Sequence, residues 1–295
     1  NFIGTDKTGT LQLGNTGDGV QIMDGASGNT IGGTSSGEGN VISRNGVTGI
    51  AIFGNGTNFN NVLGNYIGLD ATGTQNLGHT NGTGVYIGYG ATNNTVGGTV
   101  SGARNFISGN IGWAGVAIEG VGTSNNPVIG NYIGTDINGA ASFGNLIGVR
   151  IYGGASGNKI GGAAVPGEGN LIVNSIQAGV AVLDGVTPYT ANNAILSNSI
   201  FSNGELGIDL GGEGVTPNQV PKRPAENYYE GPPPEETLIN NAANYPLLST
   251  AMPASSSISG SIVSRWANAP LRIEFFLNSA ADPSGYGEGE TFLGF

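Results

Sequence analysis

The sequence predicts an all-β chain: a parallel β-helix with three short strands and about 32 residues per coil, followed by a partial antiparallel β-sandwich. Three observations carry this expectation. A unit of about 65 residues is written nearly three times, because Asn29 recurs as Asn94 and Asn158 and Asn40 recurs as Asn105 and Asn170. Gly19, Gly84 and Gly148 open G-V-x-I phrases at the same period, and Gly49, Gly115 and Gly179 open G-[IV]-A-[IV] phrases. Each unit also divides in two, since both halves carry Asn-x-[IV], Asn-x-Ile and Gly-[IV]-x-[IV] in the same order. Finally, Gly, Asn, Ser and Thr interrupt the chain every few residues, which excludes helical repeats of similar length. Each phrase alternates a Val or Ile with a small or polar residue, as a short half-buried strand does.

Composition narrows the class further. Of 295 residues, 56 are Gly and only 10% are charged, which excludes an ordinary helical or α/β protein. A hydrophobic content of 38% is enough for a solenoid, whose core is a thin column of branched side chains. No stretch approaches the roughly 18 apolar residues of a membrane span, so no membrane insertion is expected within this segment. With 9 basic and 20 acidic residues the net charge is −11, which argues against nucleic acid, anionic membranes and polyanionic substrates as partners. Cysteine is absent, excluding disulfides and thiolate metal sites. That absence, with the high Gly, Asn, Ser and Thr content, suits an exported protein of the extracellular space or bacterial cell surface.

Taken in order, residues 1–28 hold Asn1-Phe-Ile-Gly-Thr-Asp6 and Gly19-Val-Gln-Ile22, the last two-thirds of a coil. No leader is visible and the chain opens in mid-phrase, as a processed or excised portion of a longer protein would. An uncapped first coil invites a preceding segment or a stacked subunit. Residues 29–60, 61–93, 94–125, 126–157 and 158–192 make five further coils, and the last runs from Asn193 to Gly212. Six to seven coils spaced by about 4.8 Å give a rod on the order of 30 Å long. Wide turns alternate between edges: TSSGEG, TVSGAR and AAVPGEG follow first strands, whereas DATGTQNLGHTNGT follows a second strand. The β-helix is expected over residues 1–214 and a Pro-rich linker or strap over 215–250. An incomplete β-sandwich-like module is expected over 251–295, with strands at 257–263, 271–277 and 291–295.

The Asn-x-Ile, Gly-Val-x-Ile and Gly-Ile-Asp-Leu phrases resemble the right-handed parallel β-helix repeat proteins of bacteria, a branch of the pectate-lyase-like superfamily. The resemblance covers residues 1–214 and implies a right-handed coil. The tail, Ile273-Glu-Phe-Phe-Leu-Asn-Ser with Gly285 to Gly294, is similar to the immunoglobulin-like module that follows such repeats in large secreted proteins. Because the superfamily contains lyases, hydrolases, epimerases, adhesins and inert stalks, it implies a fold and not an activity.

Candidate site residues each have two readings. The recurring Asn residues are expected to stack into structural ladders. Asp6, Asp70 and Asp136 stand in I-G-x-D-x-x-G, which suits either a Ca²⁺ site or an Asx-turn. Tyr66 and Tyr132, and Tyr86 and Tyr152, recur two coils apart as short outer stacks, available for carbohydrate binding or for packing. Glu38 and Glu168 occupy GEGN loops; Asp24, Glu119 and Asp184 end strands; Glu205 and Asp209 lie near the last coil. The N-T-D, D-D, G-H-G and R-I-K phrases of the hydrolase branch are absent, and Arg104, Arg150 and Lys159 make a scattered set of bases for a lyase. His79, the single histidine, reads as a polar residue of a surface loop. No catalytic set is assigned. The expected function is a non-enzymatic extracellular structural or adhesive module with no resident cofactor, which in its sharper version self-associates into filaments, either by end-to-end stacking or by strand complementation in which the tail completes a neighbour's sheet. The alternative is a carbohydrate-binding or carbohydrate-active β-helix protein whose partner is a surface glycan.

Overall fold

The computed structural model describes residues 1–79, 81–183, 189–212, 214, 246–251, 258–262, 272–280 and 286–295. Short strands follow one another three to a coil. The first six are β1 (Phe2–Ile3), β2 (Val20–Ile22), β3 (Thr30–Gly32), β4 (Val41–Ile42), β5 (Ile50–Phe53) and β6 (Asn61–Leu63). The middle coils contribute β7 (Tyr66–Ile67), β8 (Val85–Gly88), β9 (Thr95–Gly97), β10 (Phe106–Ile107), β11 (Val116–Glu119) and β12 (Pro127–Ile129). The remaining coils hold β13 (Tyr132–Ile133), β14 (Val149–Tyr152), β15 (Lys159–Gly161), β16 (Leu171–Val173), β17 (Val180–Val182), β18 (Ala194–Leu196), β19 (Ser199–Phe201) and β20 (Ile208–Leu210).

Every third strand joins the same parallel sheet. The first sheet runs β1-β4-β7-β10-β13-β16-β19, the second β2-β5-β8-β11-β14-β17-β20, and the third β3 to β18 through β6, β9, β12 and β15. The chain is therefore a parallel β-solenoid, as its phrases predict. Among the described residues there is no α-helix, only one 3-10 turn at Ser101–Ala103.

Pairing in register puts like side chains above like. Ile42, Ile67, Ile107, Ile133 and Ile172 line the first sheet's interior, Ile52, Ile87, Ile118 and Ile151 the second's, and Val62, Val96, Val128 and Ile160 the third's, all fully buried. Each such side chain contributes roughly 1.5–3 kcal/mol. The core is one continuous column, because every coil adds the same layer to it.

The corners of the coil are held by buried amides. In the ladder that precedes the first sheet, each Asn Nδ2 donates to the Oδ1 of the next coil: Asn1, Asn40, Asn65, Asn105, Asn131, Asn170 and Asn198, at 2.8 to 3.0 Å. Each receiving Oδ1 takes the backbone N–H of the preceding coil's Asn as well, as in Asn65 to Asn105. Sequence separations along this ladder are 39, 25, 40, 26, 39 and 28, so long and short coils alternate in the first sheet as the wide turns do. A second ladder precedes the third sheet through Asn29, Asn60, Asn94, Asn126, Asn158 and Asn193. A third, which the repeat phrases do not announce, begins with Asn15 and Asn45 and resumes with Asn110 and Asn145. Glycine is required where the I-G-x-D turn leaves the first sheet: Gly4, Gly68 and Gly134 have φ of +89°, +84° and +94°, and a Cβ there would sit within 2 Å of a carbonyl of the next coil.

Beyond the rod, β21 (Leu247–Ala251) pairs antiparallel with β22 (Ile258–Ser261), and β23 (Phe275–Leu277) with β24 (Thr291–Gly294). Strands were expected at 257–263, 271–277 and 291–295; the described ones are shorter, and Ser257, Val263 and Leu271 lie outside the described residues. β21 starts inside the stretch read as linker, whose residues 215–245 lie outside them too. The β23–β24 hairpin seals the edge of β19. Ile200 N–H donates to Gly289 C=O at 2.7 Å, and Gly289 N–H donates back to Ile200 at 2.8 Å. Glu274 Oε2 accepts the Ser197 N–H at 2.7 Å, and Glu288 Oε1 accepts Asn203 Nδ2 at 2.9 Å.

Asn105→Ala is expected to cost about 2–4 kcal/mol, since it leaves the Asn65 amide and N–H without their acceptor in a buried setting. Urea unfolding measures this, and a loss under about 0.5 kcal/mol would show that the ladder bonds contribute little net stability.

Candidate functional site

The three I-G-x-D aspartates each cap their own wide loop. Asp6 Oδ1 accepts the N–H groups of Thr10 and Leu11 at 3.1 and 3.0 Å, and the Thr8 hydroxyl lies 2.8 Å from both carboxylate oxygens. The Leu11 N–H, followed by the Thr8 hydroxyl, holds the Asp6 carboxyl down at about 2. Asp70 repeats the pattern with Thr72, Thr74 and Gln75. At Asp136 burial raises the pKa, but the N–H groups of Ala140 and Ala141 and the Asn138 side chain outweigh it and leave it lowered. These are Asx-type turns, and a cation would have to displace their donors. Among the described residues no three His, Cys, Asp or Glu side chains gather as metal ligands.

Glu38 and Glu168 cap loops in the same way. Glu38 accepts the Ser35 N–H at 2.8 Å. Glu168 pairs with Lys159 Nζ at 2.6 Å and accepts the Ala164 N–H at 2.9 Å, and the lysine is the main cause of its lowered pKa. In the intermediate copy Ala103 stands at the glutamate's place, and the next residue, Arg104, donates to Gly130 C=O at 3.2 Å and lies 4.0 Å above the Tyr132 ring.

Tyr66 and Tyr132 share one outward column of the first sheet, with Phe106 between them. The rings meet edge to face at 5.5 Å on both sides. The Asp70 loop folds back on this column, so close that a Cβ on Gly73 would reach Tyr66 at 3.4 Å and Ile137 at 2.1 Å. All three rings are half-buried. This geometry is that of a packed seam under the wide loops.

The second sheet carries a different outer surface. Ala51, Tyr86, Ala117, Arg150 and Ala181 stand opposite one another in successive strands, so each large side chain lies over small neighbours. Tyr86 and Tyr152, expected at equivalent places, are not equivalent. Arg150 is the counterpart of Tyr86, and Tyr152 pairs with Glu119, because Tyr86 stands two residues after Gly84 whereas Tyr152 stands four after Gly148. They nevertheless border one surface. Tyr86 meets Tyr89 at 6.1 Å, and Tyr89 meets Phe53 edge to face at 6.4 Å. The Arg150 guanidinium lies 4.3 Å from the Trp113 ring and 4.7 Å from the Tyr152 ring. Burial, then the Glu119 carboxylate, pushes the Tyr86 hydroxyl well above its ordinary range. Burial lowers the pKa of Arg150, and the Glu119 carboxylate partly offsets this by raising it. Phe53, Tyr89 and Trp113 were missed from sequence. The signal for Tyr89 was present: V-Y-I-G-Y stands where neighbouring coils read I-A-I-F-G and V-A-I-E-G.

His79 is a correction. Read as a surface-loop residue, it is fully buried, because it fills an Asn place in the third ladder. Its Nδ1 accepts the Asn45 N–H at 3.0 Å, and its own N–H donates to Asn110 Oδ1 at 3.2 Å. Nε2 takes the place of an amide Nδ2 against Gly49, without a hydrogen-bond partner. The ring is therefore neutral, and burial lowers its pKa. Asp184 lies outside the described residues.

Comparison with protein-family models, with curated proteins and with solved structures finds no match to this chain.

Because the folded pKa of His79 lies below the unfolded value of about 6.5, the unfolded chain binds the extra proton first. The stability His79 confers is thus present above about pH 6.5 and lost as pH falls toward its folded pKa. His79→Asn, which completes the ladder, is expected to flatten the pH dependence of urea unfolding between about pH 6.5 and 5. Superimposable acid profiles for the two proteins would contradict a neutral buried ring.

Proposed function

We propose that the chain is a non-enzymatic structural or adhesive β-solenoid module working outside the cell on a bacterial surface, akin to the bacterial parallel β-helix repeat proteins that its phrases resemble. One observation carries this: the recurring residues are consumed by the stack. The Asn repeats are buried in ladders, the Asp and Glu of the wide turns cap their own loops, and the single histidine is a ladder rung. A periodic sequence spent in this way maintains a rigid rod.

End-to-end association is the sharper version, and the ladders give it a direction. Along the first two ladders Nδ2 of one coil donates to Oδ1 of the next, so a partner coil stacks head to tail. At the far end the Glu288 carboxylate takes the place of the next rung under Asn203. A second reading, glycan binding, is favoured by the outer face of the second sheet, where rings, a carboxylate and a guanidinium stand together.

Incubation with neutral and acidic polysaccharides is expected to give no new reducing ends and no unsaturated products; either one defeats the non-enzymatic reading. Light scattering over a wide concentration range tests the filament version, which predicts a mass that grows with concentration and fails if the mass stays that of one chain.

A further inference from the structure

Tyr89 occupies a left-handed backbone slot that is filled by a small or glycine residue in the neighbouring coils. The residue that leaves the second sheet is Asp24, Gly54, Tyr89, Gly120 and Gly153 in five successive coils, with φ of +57°, +97°, +52°, +95° and +66°. Left-handed backbone strains a bulky side chain, whereas glycine adopts it freely. The strain is not offset by burial, since Tyr89 is 65% exposed. An aromatic ring in a strained slot and largely in solvent is poorly accounted for by packing.

Its surroundings suggest what the ring meets. Tyr89 stands nearly perpendicular to Phe53, at 79°, and tilted against Tyr86, so the three rings form an open apolar corner. Glu119 reaches the Tyr86 hydroxyl from the next coil and feels Arg150 in the coil after it. Trp113, 38% exposed, continues the surface beyond Arg150. Acceptor and donor charges of opposite sign thus flank the rings. That favours a ligand that is neutral overall, with apolar C–H faces and hydroxyl groups at its edge. A cationic ligand would be repelled by Arg150, and a polyanion by Glu119 and the net charge of −11.

We propose that Phe53, Tyr86, Tyr89, Glu119 and Arg150 form a binding site for a neutral saccharide, with Tyr89 as the platform on which a pyranose ring stacks. The proposal rests on the glycan-binding reading above and adds its residues and ligand class.

Calorimetric titration of the full chain with neutral hexasaccharides of glucose, mannose and galactose is expected to find a binder among them. Tyr89→Gly is expected to weaken it by about tenfold or more, as loss of a stacked ring does, while the melting temperature holds or rises because the backbone strain is relieved. Tyr89→Phe keeps the ring and is expected to bind within about twofold. The proposal is overturned if no neutral hexasaccharide binds, if only tetramethylammonium or a hexauronate binds, if Tyr89→Gly binds as the parent does, or if Tyr89→Gly lowers the melting temperature. Release of reducing ends from the same sugars would defeat the non-enzymatic reading instead, whatever Tyr89 does.

Discussion

The buried Asn–Asn hydrogen bond between adjacent coils is the interaction on which the rest of the structure depends. A coil of two- to four-residue strands has too few ladder bonds and too little apolar surface to hold its own shape, and its sharp corners would leave backbone groups unsatisfied inside the protein. An asparagine at the corner solves both problems, because its Oδ1 accepts from the coil before while its Nδ2 donates to the coil after and to nearby carbonyls. Aspartate or leucine at the same place lacks the donor or both functions. The isoleucine column, the register of the three sheets and the positions of the wide turns all follow from keeping these amides in line.

The same constraint separates residues that build the rod from residues that are free to do something else. Outward positions on the first sheet are covered by the loops that Asp70 and Asp136 cap, which encloses Tyr66, Phe106 and Tyr132. On the second sheet the outward Tyr86 and Arg150 are half-buried over buried alanines, and beside them Tyr89 and Trp113, just outside the strands, reach solvent. The two faces have similar aromatic content, and what distinguishes them is the loop overhead.

Much of this was legible in the sequence, for a physical reason. A ladder needs the same residue in every coil, so Asn29, Asn94 and Asn158 announce one ladder and Asn40, Asn105 and Asn170 another. The third ladder was not legible, because His79 and Ser175 replace Asn in it, and only stacking shows that an imidazole nitrogen can take an amide's place. Tyr86 and Tyr152 were misaligned because a shift of two residues keeps both side chains on the outer face, so counting from tyrosine to tyrosine hides the shift that counting from Gly84 and Gly148 reveals. The hairpin seal on β19 has no local signature: Glu274 and Glu288 meet residues 77 and 85 positions away, and a carboxylate standing in for an amide carbonyl is visible only in three dimensions.

Native-state hydrogen exchange tests the central claim most directly. The backbone N–H groups of Asn65, Asn105 and Asn131, each bonded to the Oδ1 of the next coil, are predicted to exchange as slowly as those of the strand residues Ile67, Ile107 and Ile133, with the same denaturant dependence. If the ladder N–H groups exchange at the rate of the wide loops while the strands stay protected, the corners are not what holds the coils together, and the account built on them is wrong.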